Sequence, residues 1–103
     1  MISSMQRSKY LSQLKEAIRA VHGCESLHVS TSRVVSQFEG AIAWDGDVET
    51  FDLVGHPKAK RCHAWGYVDA GQFRSTAVLE LPPVDSPSTA VDAAIASKAR
   101  KQV

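Results

Sequence analysis

The chain has 103 residues, of which 44% are hydrophobic and 22% charged, with a formal net charge of +1. That length allows one domain with one core across residues 1–103, and the composition excludes global disorder. A charge so near zero supplies no long-range field toward nucleic acid or anionic lipid.

Only two cysteines occur, Cys24 and Cys62, too few for a disulfide framework and without the paired spacing of a zinc site. Residues 1–7 carry no apolar run of signal-peptide length, and no stretch approaches transmembrane length. The expectation is a cytoplasmic protein with reduced thiols. No internal repeat or low-complexity tract is present.

In chain order, Leu11, Leu14, Ile18 and Val21 recur at helical spacing, which predicts an amphipathic helix over residues 4–22 with Gly23 as its left-handed cap. Leu27, Val29, Thr31, Val34 and Val35, interleaved with serines, predict an edge strand or an irregular extended segment over residues 26–37. Glu39-Gly40 and Asp45-Gly46 both offer hairpin turns. The first is preferred, because residues 41–53 then form one long strand with Gly46 as a bulge or bend. Gly55-His56-Pro57-Lys58 and Asp69-Ala70-Gly71-Gln72 are the next turns, which leaves strands at 59–68 and 73–81. Pro82-Pro83 stops the last strand. Ser86 as N-cap and Pro87 at the first helical position open a second helix, with Val91, Ala94, Ile95 and Lys98 at helical spacing and Arg100 and Lys101 suited to its C-terminal dipole. The fold class expected is α+β: a helix, a three- to four-stranded antiparallel meander and a C-terminal helix, both helices on one sheet face.

The turns set a register. Asp52 falls opposite Arg61, Thr50 opposite His63, Val48 opposite Trp65 and Phe51 opposite Cys62. In the next pair Arg61 meets Glu80, His63 meets Val78, Trp65 meets Thr76, Tyr67 meets Arg74, Cys62 meets Leu79 and Ala64 meets Ala77. Alternation then gives one apolar face of Phe51, Leu53, Cys62, Ala64, Ala77, Leu79 and Leu81. The other face carries an Asp52–Arg61–Glu80 charge row, with Val48, Trp65, Tyr67 and Val78 beside it.

Cys62 and His63 are adjacent on a strand and so point to opposite faces, which separates them as nucleophile and base; Cys62 reads as a core residue. The histidines His22, His28, His56 and His63 show no ligand spacing, and His56 reads as organising its turn. No catalytic residue, metal or cofactor is expected. The weakest reading is a small-ligand or enzymatic role around His56, Asp52 and His63. Lys58, Lys60 and Arg61 form the densest cationic cluster, a candidate phosphate-binding surface with Trp65 and Tyr67 as stacking platforms and Arg7, Lys15 and Arg19 on the first helix. Against it, Glu39, Asp45, Asp47, Glu49 and Asp52 flank the cluster. If both helices cover the other face, then Val48, Trp65, Tyr67, Val78, Arg61 and His63 form an open interaction face. The expected function is therefore non-enzymatic protein interaction through that face as a homodimer, with RNA or DNA binding as the alternative.

The segment Gly55-His56-Pro57-Lys58-Ala59-Lys60-Arg61-Cys62-His63-Ala64-Trp65, together with Leu81-Pro82-Pro83-Val84-Asp85-Ser86-Pro87 and Ala90-Val91, resembles a family of small uncharacterised bacterial proteins over most of the chain from about Val21. That resemblance implies no activity. The element order is also similar to double-stranded RNA-binding domains. Here, however, the start of the last helix reads Asp85-Ser86-Pro87-Ser88-Thr89 where those domains are lysine-rich, and their G-P-x-H loop is absent.

Overall fold

The computed structural model describes residues 4–101, and the side chains of residues 6–100. The N-terminal residues 1–3 and the side chain of Lys101, both used above, lie outside that description. The order is α1 (Ser4–His22), β1 (Glu25–Phe38), β2 (Ala41–Val54), β3 (Arg61–Asp69), β4 (Gln72–Leu79) and α2 (Pro87–Lys101). The strands form one antiparallel meander, β1-β2-β3-β4, and the chain is α+β as expected. No helix among the described residues is long and apolar enough to cross a membrane.

Local chemistry explains the boundaries. Gly23 takes φ 71° and its N–H bonds the Arg19 carbonyl at 2.9 Å, which closes α1. Glu39 and Gly40 both have positive φ and join Phe38 directly to Ala41, as a two-residue hairpin turn twisted to match its strands requires. In the next turn His56 Nδ1 accepts the backbone N–H groups of Lys58 and Ala59 at 3.1 and 3.0 Å. Ser86 Oγ accepts the Thr89 N–H at 3.2 Å, while Thr89 Oγ1 accepts from the N–H of Asp85 and of Ser86. The start of α2 is thus capped in both directions.

The ladder matches the register read from the turns: Asp52↔Arg61, Thr50↔His63, Phe51↔Cys62, Cys62↔Leu79, His63↔Val78, Ala64↔Ala77, Trp65↔Thr76 and Tyr67↔Arg74. Three details differ. The β2–β3 ladder ends at Glu49↔Ala64, so Val48 and Trp65 are core neighbours but not a ladder pair. Gly46 is an ordinary ladder residue opposite Val34; the irregularities fall at Val29 and Ala43. The Trp44 ring lies close over Gly46, 3.0 Å from where a Cβ would stand, so a side chain there would press on the ring. Val21 falls on the predicted stripe of α1 but is exposed, and Tyr10 joins Leu11, Leu14 and Ile18 instead.

The helices lie on opposite faces of the sheet, which corrects the expectation of one shared face. Leu14 and Ile18 of α1 pack on Phe51, Cys62 and Ala64. Ala90 and Val91 of α2 pack on Val34, Val48 and Trp65, joined by Val84. The result is three layers, helix–sheet–helix, in which residues 48–51 of β2 and 62–65 of β3 are buried on both faces. Each fully buried Leu, Ile or Phe there contributes about 1.5–3 kcal/mol relative to exposure.

Beyond Glu49↔Ala64 the two hairpins separate. Gly66, past the last β2–β3 pair, donates its N–H to Tyr10 Oη at 3.0 Å. Tyr10 in turn meets Phe73 edge to face, with centroids 6.2 Å apart. The Phe73 ring occupies the space a Gly66 side chain would need, since a Cβ there would stand 2.4 Å from Phe73 Cζ and 3.2 Å from the Arg74 carbonyl. Gly66→Ala is therefore expected to cost about 1–3 kcal/mol through overpacking, read as a lower urea midpoint. Adding Phe73→Leu to the same chain should recover part of that loss.

Candidate functional site

Trp65 is only 5% exposed, and Val48 and His63 are buried with it. The interaction face expected at Val48, Trp65, Tyr67, Val78, Arg61 and His63 is therefore closed by α2, and only Tyr67 and Arg61 at its margins are exposed. The expectation failed because an alternating strand pattern shows that a face is apolar but not which helix covers it. Ser36 of β1 helps seat that helix by donating to Asp92.

Three polar side chains of the buried face satisfy one another, while the buried indole N–H of Trp44 beside them has no partner. His63 Nε2 lies 2.9 Å from Glu80 Oε1 and its Nδ1 3.0 Å from Thr50 Oγ1. A carboxylate only accepts, so Nε2 carries the proton, and in the neutral ring Nδ1 then accepts from the Thr50 hydroxyl. This hydroxyl–imidazole–carboxylate chain has the connectivity of a catalytic triad. The Thr50 hydroxyl, however, is buried within the sheet, with the residue only 3% exposed. Glu80 is thereby drawn away from the expected charge row, leaving Asp52–Arg61 as an exposed pair at 2.9 Å.

Of the basic cluster, Lys58 and Lys60 are exposed and make no ion pair among the described residues, while Arg61 is held by Asp52. On α1, Arg19 pairs with Glu25 and Arg7 with Glu49, which removes two of the helix cations from any phosphate-binding surface. His56, Asp52 and His63 do not converge: His56 holds its turn and His63 is enclosed. Among the described residues no three His, Cys, Asp or Glu side chains gather as metal ligands.

The densest polar constellation is one that sequence reading passed over as part of an acidic run. Glu49 is fully buried between α1 and the sheet. Arg7 grips it with two prongs, Nη1 to Oε2 at 3.2 Å and Nη2 to Oε1 at 2.8 Å; His28 Nε2 donates to Oε1 at 2.8 Å, and Thr31 Oγ1 donates to the same oxygen. The helix, β1 and β2 thus meet on one carboxylate. The available signal was positional: Glu49 alternates with Phe51, which places it on the core face, where a charge must be paired. Nearby, burial pushes the Tyr10 phenol pKa up, with Glu49 adding to the rise and the bond to Gly66 opposing it.

The outer edge of β1 is the longer of the two edges of the sheet. This strand has fourteen residues, of which only Glu25 and Arg33 are formally charged, and no lysine or proline. Leu27 (60% exposed) and Val35 (55%) stand open along it, as does Val29, and Ile42 (61%) stands open at the hairpin tip. Compared with models of protein families, with curated proteins and with solved structures, the chain matches none.

Three outcomes test this arrangement. Arg7→Met leaves Glu49 buried with one formal charge partner fewer, and a loss of about 2–4 kcal/mol is expected. Combining it with Glu49→Gln should recover much of that loss, a coupling read from a double-mutant cycle of urea melts. Burial also pushes the Cys62 thiol from 9.0 up to about 12. The unfolded chain sheds this proton above pH 9 while the fold keeps it. That contribution to stability is complete below pH 9 and is lost as pH rises toward 12, so Cys62→Ala should flatten the alkaline fall. Brief iodoacetamide treatment of the native protein at pH 8 should label half-buried Cys24 and spare Cys62, as read by peptide mass.

Proposed function

We propose that this protein is a non-enzymatic interaction domain that self-associates through the outer edge of β1. The supporting observation is the unprotected edge itself. Long edge strands on monomers are blunted by lysine, proline or a covering element, because their free N–H and C=O groups template pairing. Here β1 has neither lysine nor proline, and what protection it carries comes from the irregularity at Val29 and the charges of Glu25 and Arg33. The opposite edge, β4, has only eight residues and ends just before Pro82-Pro83.

A second copy is the occupant the geometry suits. On the α1 side of the sheet, α1 covers the half of β1 nearest Glu25 and leaves Val35 and Ile42, near the hairpin tip, bare. A two-fold axis pairing β1 with its copy in antiparallel fashion sets the start of one strand beside the tip of the other. Val21, 67% exposed in the last turn of α1, adjoins that start. The exposed apolar groups of one copy then meet those of the other, while both sheets extend into one. An axis between Thr31 and Ser32 also keeps Arg33 from facing its own copy, and Arg33 is already neutralised by Asp45.

Nucleic-acid binding through Lys58, Lys60 and Arg61 has less support, because the three provide only two unpaired cations on a chain of net charge +1.

Sedimentation equilibrium is the test. Wild type is expected at twice the 11.2 kDa chain mass, and Val29→Lys with Val35→Lys at 11.2 kDa with an unchanged circular dichroism spectrum. A wild-type chain that stays monomeric at several hundred micromolar overturns the proposal.

A further inference from the structure

We infer that the cleft between α2 and the separated ends of β2 and β3 is a binding site for a small planar aromatic anion. It arises directly from the divergence of the hairpins. Once β2 leaves β3, the gap between them is bridged on the α2 side by Trp44, whose ring centroid lies 6.1 Å from that of Trp65 and 6.3 Å from that of Tyr67. The interplanar angles, 49° and 58°, are tilted. The three rings therefore do not stack flat on one another, and leave ring surface to line a hollow.

The opposite wall is α2. Its Ala94 and Ile95 face the rings, and the short Ala94 side chain leaves room that a larger residue would fill. The cleft, open to solvent on one side, has a volume of about 420 Å³, within the range of sites that hold small organic ligands. The lining is mainly apolar, and Thr76 and Lys98 are its only residues that are neither aliphatic nor aromatic. Neither has a side-chain hydrogen bond or ion pair among the described residues. No acidic residue lines the cleft.

That composition selects the ligand chemistry. Aromatic walls favour a flat ring system, which gains offset or edge contacts with each tryptophan and with Tyr67. A lone ammonium at an apolar rim favours a single negative charge at the end of that ring system, and a hydroxyl beside it offers a second hydrogen bond to the same group. A cationic ligand would meet Lys98 with no compensating carboxylate. A neutral apolar ligand would leave the ammonium unused. The site is independent of the β1 edge, so occupancy and self-association can succeed or fail separately.

The probe is 2-naphthoate, with 2-naphthalenemethanol as its uncharged counterpart, titrated into ¹⁵N-labelled protein and followed at the Trp44 and Trp65 indole N–H resonances. Saturable shifts of both resonances are expected with naphthoate. Lys98→Gln should weaken naphthoate roughly tenfold, the size of one charge-assisted contact near 1.4 kcal/mol, and leave the alcohol unchanged. Ala94→Leu should abolish binding of both, with the remaining spectrum confirming a folded chain. Absence of saturation, or naphthoate binding that neither substitution alters, overturns the inference.

Discussion

Four ladder pairs, from Glu49↔Ala64 to Asp52↔Arg61, join the two hairpins, and most of the fold depends on them. On one side they present Phe51, Cys62 and Ala64 to α1; on the other, Thr50 and His63 lie beside the Val48–Trp65 cluster under α2. Each helix finds its apolar platform only because β2 and β3 are in contact there. Outside this junction the hairpins hold their own hydrogen bonds and drift apart, as twisted two-stranded ribbons do.

Burial on both faces has an electrostatic consequence. Alternation along strands that are covered on each side places polar groups inside, where an unpaired one costs more than a hydrogen bond returns. Glu49 is answered by Arg7, His28 and Thr31 on the α1 side, and Thr50 is answered by His63 and Glu80 on the α2 side. These two networks make the register self-checking. A slip of one residue would carry Glu49 to the α2 face and Thr50 to the α1 face and leave both sets of partners stranded. Apolar packing alone would discriminate less sharply, since alanine and valine tolerate either side.

The same divergence shapes the surface. The β1–β2 hairpin extends past the helix that covers its base, so it exposes Val35 and Ile42 and an unpaired edge. On the α2 side the gap is filled by Trp44 rather than by a strand, and rings fill a wedge-shaped space less completely than a ladder does. An open strand edge and an aromatic cleft thus share one cause, the early end of the β2–β3 ladder.

Local features were readable from the residues alone. Glu39-Gly40 could close a two-residue hairpin, Gly23 could cap α1, Ser86-Pro87 could start α2, and turn positions then carried the register through three strands. These depend on backbone preferences and on the two-residue alternation of strands, which act between neighbours in the chain. The face taken by α2 was not readable. The connection through Pro82-Pro83 stops β4 without stating a direction, and the Val91–Ala94–Ile95 stripe would suit either side of the sheet. Thr50 and His63 looked like a solvent face because each is polar; that they satisfy each other and Glu80 depends on three strands being side by side. Glu49 looked like one acid among several for the same reason. The antiparallel sheet and its pairing were therefore determined by sequence through local physics. Which faces were covered, which carboxylate was buried and where an edge and a cleft were left open were decided only by the packing of elements distant in the chain.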